Sequence, residues 1–297
     1  MKSPSLMMPF GAALLGIALF AGMDALMKGL AMAIGSYNAS LWRSLVGATI
    51  LGCYFFGRGG KWPERAVMKL HIIRGIQVTF MLLLYFWGLA RVPLAEGIAL
   101  TFIAPLIALY LAAVQLKEAI TPRAIWSSLI GLAGVGVIAY GRMTLQATPD
   151  VMWGIAAILV AAVCYAHNLI LQRQQAQVAS PSDIAFFNTL FVLFLLGLAA
   201  PWMAKLPPLN LLPIIIFAAA IASISIMLLA YAYARVETKV LLVTEYSAFI
   251  WGALLGWLFF HDRITWATIG GTALIVAGCV ASAWKEPVRQ PSAELGL

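Results

Sequence analysis

Charged side chains stand inside long apolar stretches of this sequence, where charge is energetically expensive. Asp24 and Lys28 are four residues apart and therefore share one face of a helix, where they can pair. Arg43 falls at a similar depth in the next apolar stretch, so we expect the three side chains to meet. Such a cluster could contact the carboxylate and ammonium groups of a zwitterion, as a substrate site or a gate. It could equally be a static network of neutralised charge.

A second, neutral polar pair, His167 and Asn168, lies deep in a later apolar stretch, and Glu245 is the other acid at such depth. His167 or Glu245 could titrate if the protein couples its work to protons. A buried histidine is also commonly just hydrogen-bonded. Glu96 and the segment 261–263 lie near the ends of apolar stretches, so we expect them to be wet.

Aromatic side chains gather within a turn or two of the ends of the apolar stretches. Examples are Tyr85, Trp87, Tyr231, Trp42 and Tyr233. Belts of Trp and Tyr at the two membrane interfaces explain this placement. The same side chains could instead line a pocket that stacks against organic substrates.

The sequence contains few residues and motifs that could support catalysis. The chain has three histidines, and it contains neither Gly-x-Ser-x-Gly, nor His-Glu-x-x-His, nor the ATP-binding pattern Gly-x-x-x-x-Gly-Lys-[Ser/Thr]. Its three cysteines are scattered through apolar runs and suggest no disulfide framework. We therefore predict no enzyme, no catalytic residue, no metal and no cofactor, and an energy source other than ATP.

The composition places the protein in a lipid bilayer. Of 297 residues, 63% are hydrophobic and 10% are charged, and the mean hydropathy is +0.95. Soluble proteins are about a quarter charged. The net charge of +8 is what basic cytoplasmic loops produce, so nucleic-acid binding is not expected.

A membrane span needs about 20 apolar residues, and runs of that size recur along the whole chain without strand-like alternation. We predict ten transmembrane helices, at approximately 9–33, 37–57, 69–90, 93–116, 122–141, 150–174, 182–203, 210–234, 238–260 and 265–285. The fold class is therefore an all-α integral membrane protein. The loops are too short to hold an extramembrane domain, so any function must lie between the helices.

The basic residues predict the orientation of these spans. If both termini are cytoplasmic, twelve Lys and Arg residues fall on the inner side and four on the outer side. This asymmetry favours cytoplasmic N- and C-termini by the positive-inside rule. Arg91, Arg142, Lys205 and Arg263 are the four basic residues assigned to outer loops.

The sequence repeats weakly at an offset of 144 residues. Residues 90–92 (Ala-Arg-Val) recur at 234–236, and Gly134 meets Gly278 in the same register. We predict two halves, 1–146 and 147–297, of five helices each. Since five is odd, the halves enter the membrane from opposite sides, and such inverted repeats are typical of secondary transporters.

The offset also relates the polar residues to each other. It carries Asp24 onto Asn168, and it makes Thr101 the counterpart of Glu245. Pro105, midway along the fourth span, lacks a backbone donor and is expected to kink that helix. Paired small residues, such as Gly252 and Gly256, indicate close helix packing or a moving seam.

The whole pattern resembles the drug/metabolite transporter superfamily, in its bacterial EamA-type branch. The segments that carry the resemblance are Met23-Asp24-Ala25-Leu26-Met27-Lys28, Arg43, Leu70-His71-Ile72-Ile73-Arg74-Gly75, Ala104-Pro105-Leu106, Leu116-Lys117-Glu118 and Gly131-Leu132-Ala133-Gly134-Val135-Gly136. The resemblance implies a central cavity between the helices. The tryptophan often found where the first helix of a repeat crosses that cavity is Ala21 here, with Tyr165 as its counterpart.

Together these observations predict a secondary transporter of the bacterial inner membrane. Its cargo would be small organic metabolites, with amino acids or their derivatives foremost, moved outward by alternating access. The expected partners are the cargo, the lipid bilayer and possible coupling protons, for a monomer or a homodimer. An integral-membrane enzyme and a channel are the two alternatives.

Overall fold

Helices make up almost all of the computed structural model, which describes residues 7–116, 122–145, 148–233 and 246–283. Numbered in chain order, they are α1 (Met7–Gly57), α2 (Arg65–Leu89), α3 (Leu94–Thr101), α4 (Ala104–Leu116), α5 (Pro122–Leu145), α6 (Pro149–Ala176), α7 (Pro181–Met203), α8 (Leu212–Tyr233), α9 (Ser247–Phe260) and α10 (Trp266–Ala283). A 3-10 turn at Leu209–Leu211 precedes α8. No strand occurs in these ranges, and the predicted all-α membrane protein is confirmed.

The first two predicted spans are the two arms of α1, divided at Gly35. The backbone of Gly35 has φ 81° and ψ 150°, a conformation that side-chain-bearing residues rarely adopt. The chain therefore reverses without a loop, and residues 7–34 and 36–57 form separate rods. This division agrees with the predicted boundary between 33 and 37.

The fourth predicted span is broken into α3 and α4. Pro105 cannot donate to the carbonyl of Thr101, and the helix stops at Thr101 and restarts at Ala104. The Thr101 hydroxyl turns back onto the carbonyl of Ile98, at 2.7 Å. The kink expected at Pro105 is thus a complete interruption.

Six helices of the described ranges are long and apolar enough to cross a membrane, and both arms of α1 belong to one of them. Three shorter apolar helices cover Leu94–Ala108, Ser247–Phe260 and Trp266–Gly278. A multi-pass membrane protein is therefore clear. The count of ten spans stays a prediction, because the three shorter helices fall below the length that a full crossing needs.

Two of the long helices begin at strong capping residues. Ser180 accepts from the backbone N–H of Asp183, whose carboxylate accepts in return from the N–H of Ser180, so α7 begins with a capping box. Thr148 caps α6 through the N–H of Val151, with Pro149 in the first turn. These caps fix where the polar residues farther along each helix lie.

The helices pack as a basket around a shared apolar core. α1 lies against α7 and α8, α2 against α6 and α7, and α3 against α9. The main core cluster contains side chains of α1, α2, α3, α4 and α6 among others. The polar side chains described below all lie on these mutually facing surfaces.

α5 and α10 approach each other more closely than side chains would allow. A Cβ atom on Gly134 would lie 2.5 Å from the carbonyl oxygen of Gly271, and one on Gly278 would lie 2.6 Å from that of Ser127. Small residues on both helices make this contact possible.

We expect Gly134→Ala to reduce the free energy of unfolding by about 1–3 kcal/mol, the usual penalty for overpacking. Gly136→Ala is the matched control, because nothing lies within 4 Å of a Cβ at Gly136. Thermal unfolding of the two purified variants in one detergent measures the difference. Equal stability of the two variants would contradict the close packing of α5 and α10.

Candidate functional site

Lys28 is buried, at 4% exposure, and its charge is neutralised from another part of the chain. Its ammonium donates to Asp262 Oδ2 at 3.0 Å and to the carbonyl of Val92 at 2.8 Å. It also lies 4.6 Å from the centre of the Phe260 ring. The predicted pairing of Lys28 with Asp24 is therefore wrong, because a carboxylate from the loop after α9 takes that place.

Asp262 reaches Lys28 because of the way α9 ends. His261 adopts a left-handed conformation, with φ 54°, and turns the chain back over the helix. Gly256 leaves room for the carboxylate, since a Cβ there would lie 3.1 Å from Asp262 Oδ2. The same oxygen accepts from the backbone N–H of Leu94, at the start of α3, at 2.9 Å. We expected Asp262 to be solvated, but its side chain is only 18% exposed.

A second ion pair lies close to the first. Arg142 Nε donates to Glu96 Oε2, and the Thr268 hydroxyl donates to Glu96 Oε1 at 2.6 Å. Glu96 and Arg142 are 2% and 8% exposed. The expectation that Glu96 would be wet is wrong, because the packing of α3, α5 and α10 encloses it, and Arg142, which was assigned to an outer loop, is buried with it.

We call Lys28, Glu96, Arg142, Asp262 and Thr268 the Lys28 cluster. Electrostatic interactions connect the two ion pairs, since Lys28 interacts with the charges of both Arg142 and Glu96. A cleft of about 740 Å³ opens beside it, lined by Lys28, Arg142 and Asp262 among others. Every charge of the cluster has a partner of opposite sign, so it holds α1, α3, α5, α10 and the 261–265 loop together.

Asp24 lies apart from this cluster and is incompletely paired. Its Oδ2 accepts from the Tyr85 hydroxyl at 2.9 Å, whereas its buried Oδ1 has no hydrogen-bond partner among the described residues. Arg43 is close enough to interact electrostatically, but within the same ranges its buried Nε is also without a partner. The structure thus places Asp24, Arg43 and Tyr85 together and removes Lys28 from the predicted trio. We call these three the Asp24 group.

A third set of polar side chains joins α2 to α6. Arg74 donates through Nε to Asn168 Oδ1 at 2.8 Å and through Nη1 to Gln175 Oε1 at 2.7 Å. Gln175 Nε2 lies 3.0 Å from His71 Nδ1. Asn168 was a candidate from sequence, whereas the contributions of Arg74, Gln175 and His71 were not identified. The segment 70–75 carried part of the family resemblance but gave no sign of this arrangement. We call these four residues the Arg74 cluster.

His167 has the simple hydrogen-bonded environment that was the alternative to a titrating role. Gln77 donates its amide to the carbonyl of Cys164 at 2.7 Å, so its oxygen faces His167 Nδ1 at 2.9 Å. Nδ1 is therefore the donor, and the proton of the neutral ring is on that nitrogen.

Trp87, Tyr231 and Thr101 make contacts other than those of the three clusters. Trp87 is 36% exposed and lies 3.6 Å beneath the guanidinium of Arg91, which suits a residue at a membrane interface. The Tyr231 hydroxyl contacts Met8 Sδ at 3.4 Å. Thr101 is bonded at the break between α3 and α4, and Glu245 lies outside the described residues.

Buried charge arranged between the helices of a multi-pass membrane protein defines the broad class as a membrane transporter. Within the described ranges, no three His, Cys, Asp or Glu side chains could together hold a metal ion. The chain matches the EamA-like transporter family over residues 7–140 and again over residues 152–284. It therefore belongs to that family, in the drug/metabolite transporter superfamily, and the predicted family membership is confirmed. It is a transporter and not an enzyme.

Similar proteins of known name or structure agree with this assignment. The pseudopaline exporter CntI of Pseudomonas aeruginosa, in strains UCBPP-PA14 and PAO1, is 25% identical over 269 residues, which cover 88% of this chain and 91% of the exporter. A protein solved by crystallography shares 21% sequence identity and a TM-score of 0.61, over 92% of this chain and 96% of that chain. The second comparison shows that the fold is shared.

We expect Asp262→Asn to destabilise the protein by about 3–5 kcal/mol, because it leaves the buried Lys28 ammonium without a counter-charge. Adding Lys28→Met should restore most of the loss, because it removes the unpaired charge. Asp150→Asn is the matched control: it breaks the ion pair with Arg91, in which the Asp150 side chain is 70% exposed, and should cost less than about 1 kcal/mol. Thermal unfolding in detergent is the measurement. A double variant less stable than Asp262→Asn alone would contradict this account of the pair.

Proposed function

We propose that this protein is a secondary transporter of the bacterial inner membrane that exports small organic metabolites, with amino acids or their derivatives as the leading cargo, by alternating access. The observation that carries the proposal is the Asp24 group. It presents a carboxylate oxygen and a guanidinium nitrogen that are both buried and both without a partner in the described part of the chain.

The chemistry of that group fits an α-amino acid. Asp24 Oδ1 can accept from an ammonium group, and Arg43 can donate to a carboxylate. The Tyr85 hydroxyl fixes the other oxygen of Asp24, so the carboxylate is oriented before cargo arrives. The ammonium and carboxylate groups of a zwitterion would give Asp24 and Arg43 oppositely charged partners inside a membrane, where water is scarce.

We further propose that the ten predicted spans form two inverted halves, 1–146 and 147–297, with both termini in the cytoplasm. The family matches twice, once in each half. Two close contacts of α5 with α10 also exchange under the 144-residue offset. That offset takes Gly134 to Gly278 and Ser127 to Gly271, so the contact of Gly134 with Gly271 has its counterpart in that of Gly278 with Ser127. A two-fold relation between the halves supports this arrangement.

In this topology the Lys28 cluster is the outer gate, and the Arg74 cluster lies toward the cytoplasm. One ion pair of the gate ties α1 to the loop before α10, and the other ties α3 to α5. The Thr268 hydroxyl joins α10 to α3 through Glu96. Opening to the outside must separate these pairs or rotate them as a unit. The state described here is then closed at the outer end.

Pseudopaline or a related compound is the second candidate cargo. The observation in its favour is the match to the pseudopaline exporters over 88% of this chain. Competition by pseudopaline in an amino-acid exchange assay distinguishes the two candidates, since only a shared site lets one cargo slow the other.

We expect Asp24→Asn to reduce exchange at least about tenfold, the loss that follows from removing one charge-assisted hydrogen bond. Counterflow of radiolabelled amino acids in proteoliposomes measures it, and Asp150→Asn is the control for removal of an acid at an exposed position. Unchanged exchange in Asp24→Asn, at equal amounts of folded protein, would contradict the role of Asp24. Flux that unlabelled cargo on the opposite side fails to accelerate would favour a channel.

We also propose that export is coupled to protons through Glu245. Glu245→Gln removes the titratable carboxyl group at position 245, so the flux should depend less on pH. Glu64→Gln is the control, because Glu64 is exposed in the loop before α2. The measurement is the initial rate of exchange across a pH series with both variants. A pH profile in Glu245→Gln that matches the wild type would assign coupling elsewhere.

A further inference from the structure

The Arg74 cluster contains a cation that the described protein does not neutralise. Arg74 is 8% exposed, and both of its hydrogen bonds to other described residues go to the oxygens of neutral amides. The ion pairs of the described ranges involve Lys28, Arg91 and Arg142 instead. Asp183 exerts an electrostatic effect on His71, but its carboxylate caps the start of α7.

Only one assignment of donors and acceptors is consistent with the hydrogen bonds of the Arg74 cluster. Arg74 can only donate, so the oxygens of Asn168 and Gln175 must accept. The amide nitrogen of Gln175 must then donate to His71 Nδ1, at 3.0 Å. The ring of His71 therefore carries its proton on Nε2.

The His71 Nε2–H donor is buried and has no partner in the ranges that the structure describes. His71 itself is 0% exposed and is held in place by stacking on Phe187, at 5.0 Å between ring centres. Among the described residues, the Nη2 group of Arg74 also has no hydrogen bond. His71 and Arg74 are three residues apart on one face of α2, and both contact Gln175. The cluster thus offers hydrogen-bond donors and a positive charge, and it lacks an acceptor.

We propose that the Arg74 cluster is a second cargo-recognition site, which binds a carboxylate in addition to the α-carboxylate. This rests on the transporter function proposed above and specifies its substrate class: amino acids or amino-acid derivatives that carry an extra acidic group and a net charge of −1. The carboxylate would accept from the buried Nε2–H of His71 and would neutralise the charge of Arg74. The amides of Asn168 and Gln175 keep the guanidinium in place without neutralising it.

The net charge along the path agrees with such a cargo. The Asp24 group contributes one negative and one positive charge, and Arg74 adds another positive charge. Tyr165 is within electrostatic reach of both Tyr85 and Arg74, so the two sites border one region between α2 and α6. Counted over the described residues alone, a cargo with a charge of −1 makes that region neutral, which favours its entry from the cytoplasm.

The test compares L-glutamate with L-glutamine, which differ only in a carboxylate and an amide. We would measure the KM of each in proteoliposome exchange for the wild type, Arg74→Gln and Arg74→Lys. Arg58→Gln is the matched control, because Arg58 is exposed and its guanidinium contacts Tyr54 on its own helix. The wild type and Arg58→Gln should have a KM for glutamate about tenfold below that for glutamine.

In Arg74→Gln the two KM values should become equal through a rise for glutamate alone, and Arg74→Lys should retain part of the preference. An equal KM for the two amino acids in the wild type, an unchanged ratio in Arg74→Gln, or a parallel change for both amino acids would overturn the proposal.

If the wild type exchanges neither amino acid, the amino-acid cargo proposed above is wrong, and a binding measurement decides on the anion site. Glutarate should then raise the Tm of the purified wild type and of Arg58→Gln more than its monoamide does, and this difference should vanish in Arg74→Gln. The absence of any such difference in the wild type would overturn the site itself.

Discussion

The cost of a charge inside a bilayer governs the arrangement of this protein. Lys28 must find a counter-charge, and it finds Asp262 from the far end of the chain, although Asp24 is one helical turn away. Because Lys28 is satisfied elsewhere, Asp24 keeps an unpaired oxygen and faces Arg43. The functional character of the Asp24 group thus depends on an ion pair that does not include it.

The three polar clusters differ in how completely their charges are neutralised. The Lys28 cluster is paired throughout, the Asp24 group has opposite charges with unpaired atoms, and the Arg74 cluster has a cation held by neutral amides. Complete pairing suits a closed gate, and incomplete pairing suits a site that waits for cargo.

Local rules predicted the features that depend on the chain near each residue. Pro105 interrupts the fourth span, and Gly35 divides α1 at the predicted boundary. Each effect could be predicted because it depends on the backbone of a single residue. The predicted pairing of Asp24 with Lys28 was wrong because the i, i+4 rule considers only neighbours on one helix. The carboxylate that pairs with Lys28 lies more than 230 residues away in the sequence. Glu96 and Arg142 were judged by their distance from the ends of apolar stretches, which ignores how α10 covers them. Gln175 and His71 gave no signal, since their roles arise only where α2 meets α6.

The central claim is that the region around Asp24 opens to each side of the membrane in turn. The most direct test is the reactivity of a single cysteine at Ala21, one turn before Asp24, in a variant without the native cysteines, toward a membrane-impermeant thiol reagent applied to either face. The account predicts reactivity from both faces, with cargo slowing the reaction from one face as it speeds the reaction from the other. Reactivity confined to one face under every cargo condition would contradict it.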